Sequence, residues 1–396
     1  MAEIFLWILL AIIFYTYLGY GALVIVLGRV KYFFRKSQDV IPCVYEPSVT
    51  LMIAAYNEEA WLGRKIENSH NLDYPEDKLK IIVVTDGSND ASANIAGSDP
   101  GIIHLHEAPR RGKMAAMNRA MTFVDSEIVI FTDANALLNE KAVREIVSCF
   151  QEASVGCVSG EKRVSIDSSN RAASAGEGLY WCFESLVKHG EASLGSCLSA
   201  AGELFAIRTR LFTPLPEDTL TDDFVISLCI ALQGYRIQYT SRAYALETAS
   251  SDLHEEFKRK IRIAAGNLQT LLRLPGLLNP FGHGWLTFQY FSHKFLRSFV
   301  APLCFIALVP LNLFLCAGGN DLYEALFVLQ VLFYLAGFAG YLLQKKRIAF
   351  KFFFVPLYII VMNLSALIGS FRYLCGRQSV LWDKAKRYAA ELEKDA

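Results

Sequence analysis

The stretch "EIVIFTDANALL", Glu127 to Leu138, joins a strand pattern to a polar turn, and it decides how the rest of the chain is interpreted. Its first half is apolar and β-branched, which is typical of a buried strand. The run ends on Asp133, and Asn135 stands two residues later, where a second carboxylate would complete an Asp-x-Asp pair. Asp133 is therefore either a ligand of a divalent cation or part of a turn that caps the next helix.

Strand patterns and helix patterns alternate on both sides of this stretch. Strands are predicted at "SVTLMIAAY", "LKIIVVTDG", "GIIHLHE" and "EIVIFTD", and helices at 58–70, in "SNDASANIAG", at 113–124 and at 139–152. This alternation predicts an α/β domain whose mostly parallel sheet is covered by helices on both faces. Such sheets bind ligands at the carboxyl ends of their strands, where Asp86 and Asp133 stand. The chain has no G-x-G-x-x-G and no P-loop sequence, which disfavours dinucleotide enzymes and P-loop ATPases.

Two clusters of cations flank the polar part of the chain. "PRRGKMAAMN" places Arg110, Arg111 and Lys113 at the start of a predicted helix. A helix N-terminus with nearby cations suits a phosphate group, although a solvated charge run has the same composition. "RKIRI", Arg259 to Ile263, adds cations immediately before the apolar C-terminal region.

Two acidic motifs accompany these cations. Asp86 precedes Gly87 in "VTDGSND", a sequence that fits a turn with a helix cap as well as a ligand-binding loop. Asp222 and Asp223 stand in front of an apolar helix in "LTDDFVISL", as capping residues would. Adjacent carboxylates also raise one another's pKa when they are partly buried, which is what a general base needs.

Composition divides the chain into a water-soluble part and apolar ends. The 396 residues are 53% apolar, with a mean hydropathy of +0.29 and the excess at the two ends. The net charge is zero, so no overall field favours nucleic acid as a partner. Nine cysteines occur without a C-x-x-C pair, which argues against a zinc site or a disulfide framework.

Apolar segments predict membrane spans at 4–27 and at about 297–317, 322–343 and 350–371. The cations that follow the first span place the next segment in the cytoplasm, and they are Arg29, Lys31, Arg35 and Lys36. Residues 254–274 and 281–296 look like helices at the membrane face, with ordinary surface helices as the alternative. Three trailing spans would put the basic tail outside, against the charge rule, unless the last segment is re-entrant or one span is interfacial. The loop "QKKR", Gln344 to Arg347, is expected in the cytoplasm.

Taken in order, these segments resemble the membrane-integrated family 2 inverting glycosyltransferases. That family includes cellulose, hyaluronan, poly-N-acetylglucosamine and chitin-oligosaccharide synthases. The resemblance covers nearly the whole chain and is carried by "LMIAAYNEEAWLGRKI", "DGSND", "RRGKMAAMNRA", "FTDAN", "VSGEKRV", "LTDDFVI" and "RKIRI". It implies a GT-A-like nucleotide-sugar domain, a UDP-sugar donor, Mn²⁺ or Mg²⁺, a saccharide or lipid-linked acceptor, and a lipid bilayer around the helices. It places the protein in the cell (inner) membrane as a multi-pass protein with a cytoplasmic catalytic domain.

The implied domains are an N-terminal transmembrane anchor at 1–36, a catalytic domain at 37–250, interfacial helices at 251–296, three transmembrane segments at 297–375 and a tail at 376–396. The layout of one leading and three trailing spans resembles the nodulation chitin-oligosaccharide synthases, whose tail is outside. The sequence does not indicate an oligomeric state.

The resemblance also implies roles for the donor-binding residues. Tyr56 and Glu58 would line the uridine pocket, and Asp86 would hold the base. Lys113 would face the diphosphate, and Arg262 would steady it as the leaving group.

Two further roles concern the metal and the acceptor. Asp133 would bind the metal, with Asn135 as a weaker second ligand that brings no charge. Asp223 would take the proton from the acceptor hydroxyl, and Asp222 stands where the family has Glu.

The last motif departs from the family's Q-x-x-R-W, because Arg259 replaces Gln and Ile263 replaces Trp. In processive synthases that Trp stacks on the acceptor sugar. Three functions are therefore considered. The first is elongation and export of a β-linked polysaccharide, the second is transfer of one sugar to a lipid or glycan acceptor at the membrane face, and the third is a non-catalytic membrane scaffold.

Overall fold

The computed structural model describes residues 1–34, 45–165, 171–248, 253–346 and 351–381. Arg35, Lys36 and Arg347, which were used above to orient the chain, lie outside these ranges, as do residues 382–396 of the basic tail.

The catalytic part is built on one eight-stranded sheet. Its strands are β1 (Val49–Ala55), β2 (Leu79–Asp86), β3 (Ile102–Glu107), β4 (Ile128–Asp133), β5 (Leu137–Leu138), β6 (Val155–Ser165), β7 (Leu204–Arg208) and β8 (Arg236–Thr248). They are arranged in the order β3-β2-β1-β4-β7-β6-β8-β5. The first four strands predicted from the sequence are confirmed, and they form a parallel block.

The second half of the sheet is mixed, which the sequence did not predict. β7 is antiparallel to both β4 and β6, and β5 is antiparallel to β8, whereas β6 and β8 are parallel. The start of β7 pairs with the end of β4, since Leu204 faces Thr132. The preceding helix delivers the chain to the carboxyl edge of β4, so β7 has to run back along it.

Helices cover both faces of the sheet, as predicted. They are α3 (Glu59–His70), α4 (Ser92–Gly97), α5 (Lys113–Met121), α6 (Ala142–Cys149), α7 (Arg171–Leu194) and α8 (Asp222–Leu232). Alternate residues of β1 point into different cores: Leu51 and Ile53 pack with the face of α3 and α6, and Met52 packs with α5 and α8. Fully burying such side chains stabilises the fold by roughly 1.5–3 kcal/mol each.

The remaining helices are apolar or amphipathic. They are α1 (Ala2–Phe14), α2 (Tyr20–Phe34), α9 (Leu253–Arg273), α10 (Pro280–Gln289), α11 (Ala301–Cys316), α12 (Asp321–Lys345) and α13 (Lys351–Leu374). Within the described residues, four helical segments are long and apolar enough to cross a membrane: 2–34, 280–316, 321–345 and 352–374. The segments predicted separately at 281–296 and 297–317 are continuous in one 37-residue helix, joined by a π-helical stretch at Tyr290–Val300.

The last helix, α13, lies against α9. Gly369 allows this close approach, because a Cβ atom there would come within 2.3 Å of the Ile261 carbonyl oxygen. Beyond α13 the chain returns to the catalytic part, where Val380 Cγ1 lies 3.7 Å from the position of a Cβ on Gly112. The described end of the tail is therefore on the side of the sheet, which favours the interfacial or re-entrant interpretation over a tail on the opposite side.

Candidate active site

Asp86, at the end of β2, organises the basic loop in front of α5. Its two carboxylate oxygens accept hydrogen bonds from the backbone N–H groups of Arg111, at 2.9 Å, and Gly112, at 2.7 Å. The side chain is buried. Asp86 therefore holds the start of α5 in place. This is a structural role in addition to the predicted contact with the nucleobase.

Tyr56 lies on the other side of the same loop. The guanidinium carbon of Arg110 is 3.6 Å from the centre of the Tyr56 ring, a stacking contact between cation and ring. Glu58 is the residue before α3, and its backbone N–H donates to Ser92 Oγ at 2.8 Å. The structure thus gathers the residues predicted for the uridine pocket beside the carboxyl ends of β1 and β2.

Lys113 connects the basic loop to the acids. Its ammonium lies 2.8 Å from Asp133 Oδ1 and 3.1 Å from Asp222 Oδ2. All three side chains are at most one third exposed. Burial lowers the pKa of Lys113, but the carboxylates of Asp133 and Asp222 outweigh that effect and hold the pKa above its usual value. Lys113 is therefore charged at neutral pH.

Asp223 follows on the first turn of α8. A Cβ atom on Gly202 would lie 3.2 Å from Asp223 Oδ2, so the backbone before β7 forms one wall beside this carboxylate. Burial and the neighbouring Asp222 raise the pKa of Asp223 to about 7. A carboxylate with that pKa can accept a proton near neutral pH, as a general base must.

The acid pair does not cap α8 from outside, as the sequence suggested. Thr221 occupies the capping position, and Asp222 and Asp223 are the first two residues of the helix. Negative charge in the first turn is still stabilised by the helix dipole. Arg262, on α9, donates to the Leu220 carbonyl oxygen at 3.3 and 3.4 Å, so it contacts the chain just before this turn.

Asn135 lies beyond Asp133 in a turn closed by the hydrogen bond from Ala136 N to Asp133 O, at 3.2 Å. Within the described part of the chain, no group of three or more His, Cys, Asp or Glu side chains is arranged to hold a metal ion. Asp133 and Asp222 already share one cation, the ammonium of Lys113, which lies between their carboxylates. One or two carboxylates suit Mg²⁺ or Mn²⁺ when substrate phosphates and water complete the ligands. The oxygen donors at Asp133 fit a metal of that kind.

Sequence reasoning missed two buried lysines near these acids. Lys162 on β6 forms ion pairs with Glu203, at 2.5 Å, and with Glu247. Lys65 on α3 lies beneath the Asp133 turn. The signal for Lys65 was available, because it occupies an apolar helix face with Leu62.

Comparisons with known proteins agree with this geometry. The family model described as "Glycosyltransferase like family 2" matches residues 47–266, more than half of the chain. The probable glycosyltransferase YdaM of Bacillus subtilis (strain 168) is 22% identical over 86% of this chain and 87% of its own length. The poly-beta-1,6-N-acetyl-D-glucosamine synthase of Staphylococcus aureus (strain COL) is 24% identical over 62% of this chain, which spans 60% of that protein's length.

The fold is also found in a solved structure, the mannosyltransferase PcManGT from Pyrobaculum calidifontis in complex with GDP-Man and Mn²⁺. It has a TM-score of 0.73 and 22% identity, and it covers 96% of this chain and 100% of its own. These findings confirm the predicted fold and enzyme class and remove the support for a non-catalytic scaffold. The chain belongs to glycosyltransferase family 2 and is a GT-A-like glycosyltransferase, similar to polysaccharide synthases, with four helices that fit integration into a membrane.

Proposed function

We propose that this enzyme moves a sugar, with inversion, from a UDP-sugar to a growing β-linked polysaccharide at the cytoplasmic face of the cell (inner) membrane. The observation that carries the proposal is the contact of Lys113 with both Asp133 and Asp222, next to Asp223. This contact supports the proposal because it brings together the cation proposed to bind the diphosphate, the carboxylate proposed to bind the metal and the helix turn that carries the proposed base.

The donor diphosphate would lie on the Lys113 side of this cluster. The ammonium of Lys113 would offset negative charge on the leaving group. Lys113 is also the first residue of α5, so the helix N-terminus would add its own attraction for a phosphate. Arg262 would add a second cation from α9. Tyr56, Glu58 and Asp86 would surround the uridine. A divalent metal held by Asp133, with Asn135 beside it, would supply further neutralisation of the diphosphate.

Asp223 would act on the acceptor. Its raised pKa allows it to take the proton of the acceptor hydroxyl while that oxygen attacks the sugar carbon. The bond from that carbon to the diphosphate oxygen breaks in the same step, and the proton stays on Asp223. A single displacement inverts the sugar carbon, so an α-linked donor gives a β-linked product.

A second candidate is the transfer of one sugar to a lipid-linked or glycan acceptor. The observation that favours it is Ile263, which stands where processive synthases carry a stacking Trp. A lone aliphatic side chain offers no ring face to an acceptor sugar. The amphipathic helix α9 and the membrane helices that follow it favour the polysaccharide instead.

The test is turnover by the full chain in lipid nanodiscs with Mn²⁺, a panel of UDP-sugars and GDP-mannose, and sized products. We expect nucleotide release from one UDP-sugar and a product ladder. A single added sugar would select the second candidate. Release of GDP from GDP-mannose, with no release of UDP from any UDP-sugar, would contradict the proposal that the donor is a UDP-sugar. The control is Asp223→Asn, which should bind nucleotide without turnover.

A further inference from the structure

Lys65 is a fully buried lysine on the inner face of α3, and the proposed chemistry does not use it. A buried ammonium is costly unless nearby groups compensate its charge. Its two hydrogen bonds go to neutral oxygen atoms, the Thr132 hydroxyl at 3.0 Å and the Ala136 carbonyl. Burial lowers the pKa of Lys65 to about 7, while Asp133 opposes that shift. The free-energy cost of burying this ammonium suggests that Lys65 has a function in the site.

The two oxygens lie on either side of the segment that carries Asp133 and Asn135. One ammonium therefore holds both ends of a five-residue turn. The Thr132 hydroxyl donates in turn to the Glu203 carbonyl oxygen, at 2.9 Å. This contact joins the turn to the chain entering β7, next to Gly202 and hence to the wall beside the candidate base.

Asn68, one helical turn further along α3, holds the far end of the same segment. Its side-chain amide donates to the Leu138 carbonyl oxygen and accepts from the Leu138 backbone N–H, both at 2.8 Å. Lys65 and Asn68 thus make the same number of hydrogen bonds to one stretch of chain. They differ in which residues they hold: Lys65 bonds to Thr132 and Ala136 on either side of Asp133, whereas Asn68 bonds to Leu138, five residues after Asp133.

We propose that Lys65 is a positioning residue, which holds the turn from Thr132 to Ala136 so that the Asp133 carboxylate faces the metal and the donor diphosphate. The proposal rests on the proposed role of Asp133. Without the ammonium, the Ala136 carbonyl loses its buried donor, and the turn can relax away from the site. Lys65 then acts on metal and diphosphate binding through Asp133, and it contacts neither ligand.

The experiment compares UDP binding to the full chain in nanodiscs, with Mn²⁺ and with EDTA, by calorimetry. The ratio of the two Kd values is the metal enhancement. We expect Lys65→Met to reduce this enhancement at least tenfold, while the Kd in EDTA stays within twofold of wild type. The matched control is Asn68→Leu, which should keep the enhancement. Thr132→Val provides a second variant, with an intermediate loss expected, in case Lys65→Met does not fold.

Hydrogen exchange without metal or nucleotide gives an independent readout. Lys65→Met should speed exchange in the peptide that contains residues 132–136 and leave the strand β2 unchanged. An unchanged metal enhancement in Lys65→Met, or an equal loss in Asn68→Leu, would overturn the positioning role. Asp133→Ala separates this result from the proposed function, because it should abolish the enhancement even if Lys65 proves irrelevant. A wild-type protein without enhancement would overturn both.

Discussion

The donor side of the site and the base side are held in place by different parts of the molecule. On the donor side, Asp86 and Asp133 end two strands of the parallel block. Backbone N–H groups of the loop before α5 donate to Asp86, and the Lys113 ammonium at the start of α5 donates to Asp133. On the base side, the chain before Asp223 is held by α9, a helix that follows the sheet. The Gln269 side chain accepts from Leu220 N and donates to the Asp218 carbonyl oxygen, both at 2.9 Å.

Packing along α9 extends this support to the membrane helices. A Cβ atom on Gly266 would lie 2.6 Å from Thr221 Cγ2, so α9 touches the residue that precedes α8. Ala264 and Ala265, the two residues before Gly266 on α9, lie against Gly369 of α13. Most of the proposed donor-binding residues, namely Tyr56, Glu58, Asp86, Lys113 and Asp133, are therefore held by the sheet, with Arg262 of α9 as the exception. The base depends on contacts with a helix outside the sheet. Variants on the two sides should therefore separate binding from turnover.

The largest expected effect is that of Asp223→Asn. Removing the proton acceptor should lower kcat by about 10³-fold, within the range for general bases. The Kd for UDP should stay within about twofold, because the donor side is intact. Rapid-quench turnover and calorimetry measure the two quantities. Turnover at the wild-type rate would remove Asp223 from the mechanism.

Gln269→Leu should lower kcat without changing the Kd for UDP, and its effect on kcat should be smaller than that of Asp223→Asn. It removes both hydrogen bonds that hold the loop before the base, and a misplaced base lowers kcat by roughly 10- to 100-fold. The Kd for UDP should again be unchanged. Gln269→Glu keeps the acceptor for Leu220 N and should recover part of the rate. Equal losses in UDP affinity and kcat would show that α9 supports the whole domain, without a specific effect on the base.

At saturating Mn²⁺ and UDP-sugar, the decrease of kcat at low pH should report the base side. Because the pKa of Asp223 is about 7, the base is protonated below that pH. We expect kcat to fall about tenfold for each pH unit below 7. The Kd for UDP in EDTA should stay constant from pH 6 to pH 8. An acid limb near pH 4 would indicate an unperturbed carboxylate as the base.

The smallest effect is expected on the donor side, for Asn135→Asp. A second carboxylate two residues from Asp133 adds charge at the metal, so the apparent Kd for Mn²⁺ should fall about three- to tenfold. Titration of Mn²⁺ with UDP present gives this value. An unchanged Kd would mean that Asn135 does not touch the metal, and kcat at saturating Mn²⁺ serves as the control.

The sequence predicted the parts of the fold that depend on local pattern. Strands β1 to β4 and the helices between them follow from alternating apolar runs, and Asp86 and Asp133 were placed at strand ends. The direction of β7 could not be predicted, since it depends on where α7 returns the chain. The sequence left the side of the tail open, because the number of spans and the charge rule disagreed. The described end of the tail lies on the side that the charge rule favours.

In the site, too, local motifs could be predicted from the sequence, whereas contacts between distant parts of the chain could not. The family resemblance implied that Lys113, Asp133 and the acid pair belong to one site, and ion pairs join Lys113 to Asp133 and to Asp222. The position of Lys65 on the apolar face of α3 could have indicated that it is buried, but its partner Thr132, 67 residues away, could not be predicted from local pattern. The predicted roles of all the site residues remain predictions, since they concern ligands: Tyr56, Glu58, Asp86, Lys113, Asp133, Asn135, Asp223 and Arg262.

The anomeric configuration of the first new glycosidic bond tests the central claim most directly. That claim is a single displacement with Asp223 as base and the Lys113 and Asp133 side holding the leaving diphosphate. Proton NMR of the product formed from an α-linked UDP-sugar reports the configuration before any isomerisation. A β-linked product is predicted. An α-linked product would contradict the account, because retention requires a different mechanism.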